Sequence, residues 1–189
     1  VAVPAETELA ADDVAAYVRL QHVADEVDET GALEYWKSAP YLLAFMEDYR
    51  LKRSVSDLME VPEGSARLAG RLGSGAGVLL SGADVGSYGR LPEANPRLRW
   101  LKSKTLDRGM WRLLWMPPSM PYYRLEGAYD GAESAGLTKH LVFSSWNVVP
   151  RAVATLLSYE AERLMTLSHE PAATNSSEAR AGRRPLLRF

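Results

Sequence analysis

Lys139-His140-Leu141-Val142-Phe143-Ser144, with Asn147 and Pro150 opening a long amphipathic segment behind it, is the stretch on which the fold turns. The six residues are mostly apolar, with a Gly/Thr turn before them and polar residues after them. That pattern suits a buried strand better than a helix. Downstream, Val149, Val153, Leu156, Leu157, Ala161 and Leu164 recur at helical spacing and form one apolar stripe. Strand, tight turn and amphipathic helix make half of a βαβ unit, which needs further parallel strands beside it.

The first third of the chain reads as helix. Asp12 or Asp13 can cap its start, and Val14, Tyr17, Val18 and Val27 make an apolar stripe. Gly31 breaks it. Ser38 is the next candidate cap, with Pro40 tolerated in a first turn. Leu42, Leu43, Phe45, Met46 and Tyr49 then give a broad apolar face that runs on to Val55, Leu58 and Met59. These segments read as a packed helical pair. Seven glycines from Gly70 to Gly89 weaken the signal, leaving a short helix near 65–72 inside a loop or flexible insertion. Asn95-Pro96 starts a helix reaching about Leu106, and 111–116 fit a short strand. The prolines and glycines of 117–136 force irregular chain, the 170–184 tail reads as polar and loose, and 186–189 fit the start of a next strand.

Composition narrows the function classes. The chain has 189 residues, 47% hydrophobic and 24% charged, enough for one substantial core or two small ones. Cys is 0, which removes disulfides, thiolate zinc sites and cysteine nucleophiles together. No apolar run approaches the roughly 20 residues that span a bilayer, and no signal peptide opens the chain, so a cytoplasmic protein without a membrane partner is expected. The start at Val1 and the apolar finish at 186–189 read as a segment cut from something longer.

Catalytic motifs are scarce. No Lys follows a Gly, so there is no P-loop, and Gly73-Ser74-Gly75-Ala76-Gly77 lacks the third Gly and the preceding strand of a dinucleotide loop. His22, His140 and His169 are far apart and show no metal-ligand spacing. No Gly-x-Ser-x-Gly elbow surrounds Ser144-Ser145. No catalytic residue and no metal ligand is assigned.

Charge is more informative than motif. Lys+Arg 22 against Asp+Glu 24 is nearly balanced overall. The front is acidic, with Arg19 the sole Lys or Arg through Glu34, whereas Arg97, Arg99, Lys102, Lys104, Arg108 and Arg112 cluster against Asp107 alone. Arg180, Arg183, Arg184 and Arg188 make a second basic run. Such clusters favour phosphate backbones through counterion release, and a solvated face paired with the acidic end is the equal alternative. Trp100, Trp111, Trp115, Tyr122 and Tyr123 lie among the first cluster, suited to stacking on bases or, more commonly, to core packing.

The 139–144 run resembles the motif IV strand that opens the second RecA-like lobe of superfamily 2 helicases of the Swi/Snf type. There a Lys-x-x-x-Phe-Ser run is preceded by a helix beginning with Pro-Lys/Arg-Leu, and Asn95-Pro96-Arg97-Leu98-Arg99-Trp100-Leu101 is similar to that helix. Ser145-Trp146-Asn147-Val148-Val149-Pro150-Arg151-Ala152 and Leu157-Ser158-Tyr159-Glu160-Ala161-Glu162-Arg163 look like a bacterial branch of helicase-related proteins. Glu34-Tyr35-Trp36-Lys37-Ser38-Ala39-Pro40-Tyr41 then falls in the inserted region between the lobes. The specific part of the resemblance covers 95–163.

The resemblance implies a mainly α chain with a small α/β part. Residues 1–92 form a helical inserted region with a Gly-rich loop, and 93–189 the incomplete start of the C-terminal RecA-like lobe. It implies a fragment of an ATP-dependent DNA helicase or translocase. By the same resemblance ATP and Mg belong to the parent protein, and no cofactor is expected in the fragment. The first-lobe P-loop and Walker B motif and the arginine-bearing motif VI are not visible, so the fragment is not itself expected to hydrolyse ATP. The expected partners are nucleic acid, duplex DNA in particular, and the remaining helicase lobes. Ser144 and Ser145 are the expected backbone contacts, joined by Arg97, Arg99, Lys102 and Lys104; that Ser144 merely ends a strand is as good a reading. The competing reading of the whole chain is a non-enzymatic helical protein-interaction module, with the acidic front as its binding surface.

Overall fold

In the computed structural model, which describes residues 7–73, 75–113, 124, 126–130, 137 and 140–182, the first helix is Ala11–Glu26 (α1). Its buried face is not the one that large apolar residues mark. Asp13, Ala16, Leu20, Val23 and Ala24 turn inward, while Val14 and Val18 are exposed. Small size decides Ala16, because a β-carbon placed on Gly77 would sit 2.7 Å from the Ala16 β-carbon. A counterion decides Asp13, as described below. Asp13 also serves the helix start, but from inside the first turn: its Oδ2 accepts from the Ala10 amide at 2.8 Å.

Gly31, at φ +88°, turns the chain into Ala32–Ser38 (α2). Ser38 ends this helix instead of capping the next, its hydroxyl donating to the Glu34 carbonyl at 2.8 Å. The apolar face expected to continue from Leu42 is split into Leu42–Phe45 (α3) and Arg50–Met59 (α4) by extended backbone at Met46. The spacing still identified the core: Leu42, Leu43, Met46, Leu51 and Val55 are all buried. Pro62–Leu72 (α5) starts with its proline in the first turn and is longer than the sequence suggested. It packs on α1 and α4.

The glycine-rich loop beyond α5 is packed into the protein. Gly77 accepts from the Tyr41 amide at 2.9 Å, Ala76 accepts from Arg19 at 3.0 Å, and Val78 joins the core. Gly82–Gly86 (α6) is a short helix capped by Ser81. Pro96–Lys104 (α7) begins as expected, with Asn95 Oδ1 accepting from the amides of Arg97 at 3.0 Å and Leu98 at 3.1 Å. It ends before Leu106 and passes into two 3-10 turns, Leu106–Arg108 and Met110–Arg112, joined by Gly109 at φ +85°. Trp111 and Arg112 are therefore helical where a short strand was expected, and 114–116 lie outside the described residues.

Val148–His169 (α8) is the long amphipathic helix anticipated from its stripe. Val148, Val149 and Ala152 share one core with Leu20, Leu43, Leu51, Val55 and Leu68, and Leu156 packs with Tyr41 and Leu98. Residues assigned to either side of position 92 thus contribute to common clusters. The segment after α8 is docked rather than loose. Ala173 and Asn175 are buried, and the Asn175 amide donates to the Gly86 carbonyl at 2.7 Å before Ser177–Gly182 (α9). Residues 183–189, including the expected next strand, lie outside the described residues.

The chain is mainly helical, and no strand occurs among the described residues. Lys139 lies outside them; His140–Ser144 is irregular chain, with Leu141 78%, Val142 44% and Phe143 87% exposed. The buried strand expected here is not formed among the described residues. The physical reason is pairing: a strand persists only in a ladder, and no second extended segment among those residues offers one.

Candidate nucleic-acid interface

The six residues expected to touch nucleic acid separate into three environments. Arg97, Ser144 and Ser145 line one groove of about 710 Å³, together with Lys37, Trp100 and His140. α7 presents Arg97 from its first turn, and the turn before α8 supplies the serines. Trp100 meets the His140 ring edge-on, with centroids 5.9 Å apart, and so joins α7 to the 140–144 segment. Arg97 is exposed, and no carboxylate among the described residues pairs with it. Ser144 has a structural task already, its hydroxyl accepting from the Trp146 amide at 3.0 Å as the chain turns into α8. Ser145 is exposed. Lys104 is exposed on the last turn of α7, beyond the groove lining.

Arg99 and Lys102 face the protein instead. Arg99 bonds both oxygens of Asp13, at 3.0 and 2.5 Å, and donates to the carbonyls of Glu93 and Glu8. Its pKa stands above the ordinary arginine value, chiefly through the hydrogen bond to Asp13. Lys102 Nζ lies 2.7 Å from Glu93, 3.1 Å from Asp107 and 3.5 Å from Glu160, with its side chain only 8% exposed. Burial works against its charge, yet hydrogen bonds to Glu93 and Asp107 outweigh that and hold its pKa above the usual value. The helical period explains the split: residues 99 and 102 share the face that carries Leu98 inward, while 97 and 104 lie off it.

The network extends along α8. Burial disfavours the Glu160 carboxylate, but Arg163 at 2.6 Å and Lys102 prevail and keep its pKa below the ordinary range. Tyr88 donates to Glu162 at 2.5 Å, and Tyr159 to the Gly89 carbonyl at 2.7 Å. Tyr41 donates to the Pro92 carbonyl at 2.7 Å; burial first, then Asp84 and Glu93, push its hydroxyl well above the ordinary tyrosine value. A cavity of about 30 Å³ among Tyr41, Leu91 and Lys102 has room for a water-sized group and none for a nucleotide. The charges here link helices. The pairing of the basic cluster with the acidic front, the equal alternative in the sequence, occurs at Arg99–Asp13; Glu93 and Glu160 as internal counterions were missed, since nothing in their spacing distinguishes them from solvated acids.

Among the described residues, no group of His, Asp and Glu is placed to hold a metal ion. Nor is any helix among them long and apolar enough to cross a membrane. The second basic run is described only at Arg180, and Trp115, Tyr122 and Tyr123 lie outside the described residues. Comparison with family models, curated proteins and solved structures returned no significant match.

Proposed function

We propose that this chain is part of an ATP-dependent, DNA-directed motor of superfamily 2, supplying the helical region between the lobes and the first strand-helix unit of the second lobe. The observation that carries this reading is the 140–144 segment: it exposes Leu141, Val142 and Phe143, has no ladder among the described residues, and leads directly into a long helix whose stripe is buried. Such a run of exposed apolar side chains is suited to burial against a partner surface. A RecA-like sheet contributed from outside the described residues would complete it, giving the small α/β part. The chain provides scaffold and backbone contacts; ATP and Mg are bound by the parent protein. Arg97, Ser144 and Ser145 are the groove contacts, with Lys104 as a flanking cation.

A non-enzymatic protein-interaction module is the second reading. It is favoured by the internal neutralisation of Arg99 and Lys102, which leaves a smaller cationic surface than the sequence suggested. Titrating the chain with duplex DNA across a salt series separates the two. Under the motor reading, affinity falls steeply with salt and Arg97→Glu flattens the slope. Absence of salt-dependent binding overturns the contact assignment.

A further inference from the structure

The turn that links the 140–144 segment to α8 is gripped by aromatic rings from the helical front. Trp146 stacks on Tyr49, with centroids 5.5 Å apart and planes 7° from parallel, and Tyr35 meets it edge-on at 5.1 Å. Tyr35 and Tyr49 also contact one another, so three rings from α2, the α3–α4 connection and the α8 turn close a single cluster. The Tyr49 hydroxyl accepts from the Val148 amide at 3.4 Å, meeting one of the free donors at the head of α8. One turn on, Arg151 pairs with Glu47 at 2.5 Å, although both side chains are more than half exposed and the pair adds direction more than strength. Ser144, bonded to the Trp146 amide, ties the preceding segment to the same point.

We infer that Tyr35, Tyr49 and Trp146 form a clamp that fixes the direction in which the 140–144 segment leaves the helical front. The front and the segment therefore turn as one body. Burial of Val148, Val149 and Ala152 anchors α8 itself. The segment before it has three exposed apolar side chains and no ladder among the described residues, so the clamp and the Trp100–His140 contact set its orientation. In a two-lobe motor, a sheet built on the segment would be carried rigidly with the helical front; that consequence rests on the functional reading above, whereas the clamp does not.

Absence of native cysteine makes the test direct. Spin labels on Asp57→Cys, exposed on α4, and Phe143→Cys report the distance between front and segment in the full chain. A single narrow distribution is expected, and Trp146→Ala, checked for unchanged helicity, is expected to roughly double its width as the segment is released over a wider range of orientations. Tyr49→Leu keeps apolar volume and removes the stack and hydroxyl, and is expected to broaden it as well. A broad distribution in the parent, or an unchanged one in either folded variant, overturns the inference. Loss of helicity in both variants makes the rings an ordinary part of the core, which overturns it equally. DNA-stimulated ATP hydrolysis does not enter this test, so the clamp and the motor fail separately.

Discussion

Arg99 on α7 holds both carboxylate oxygens of Asp13 on α1, across 86 residues of sequence, and the Asp13 side chain has 0% exposure. This pair ties the acidic front to the basic cluster. Truncating Arg99 to Ala leaves a buried carboxylate with its amide partner alone, and the expected loss is about 3 kcal/mol. Replacing both residues, Asp13→Leu with Arg99→Met, removes the charge as well as the pair and is expected to cost less than Arg99→Met alone. Urea unfolding midpoints at constant slope give the comparison.

Glu160 makes the fold sensitive to acid. Its folded pKa is depressed, so its contribution is complete above the ordinary value of 4.5 and drains as pH falls through the folded value. Lys102 acts at the other end: its pKa is raised, so its contribution is complete below 10.5 and is lost as pH rises through the folded value. Stability measured from pH 3 to pH 6 should therefore rise with pH, and Glu160→Gln should flatten that arm.

Gly77 is the tightest point of the glycine-rich loop. Its φ of +78° disfavours any L side chain, and a β-carbon there would meet those of Ala16 and Ala94 at 2.7 Å. Gly77→Ala is expected to destabilise by about 2 kcal/mol, from crowding and backbone strain together. Gly82→Ala, which meets nothing within 4 Å, serves as the control by thermal melting.

The four cations of α7 should part company under charge reversal. Arg97→Glu and Lys104→Glu are expected to leave melting unchanged and each to lower the salt slope of DNA binding by about 1. Arg99→Glu and Lys102→Glu place like charges against buried acids and are expected to unfold the chain first. Equal effects of all four on melting would contradict the division between groove and network.

What the sequence disclosed follows from which forces leave a local mark. Asn95-Pro96 at the head of α7 and the stripe of α8 were legible because capping and 3.6-residue periodicity are local. The buried face of α1 was misjudged because Ala16 is buried for its smallness and Asp13 for its counterion, both long-range causes. The break between α3 and α4 escaped notice because its apolar residues stay buried on either side. The structure places Arg97, Ser144 and Ser145 in one groove, whereas Arg99 and Lys102 are drawn inward by acids whose individual roles spacing does not reveal.

The proposed place of this chain in an ATP-driven, DNA-directed motor is tested by ATP hydrolysis by the longest natural polypeptide containing the chain, with and without duplex DNA. The expected result is turnover that DNA stimulates and that Arg97→Glu weakens by raising the DNA concentration needed, with the maximal rate retained. A well-folded polypeptide that hydrolyses no ATP in the presence of DNA would contradict it.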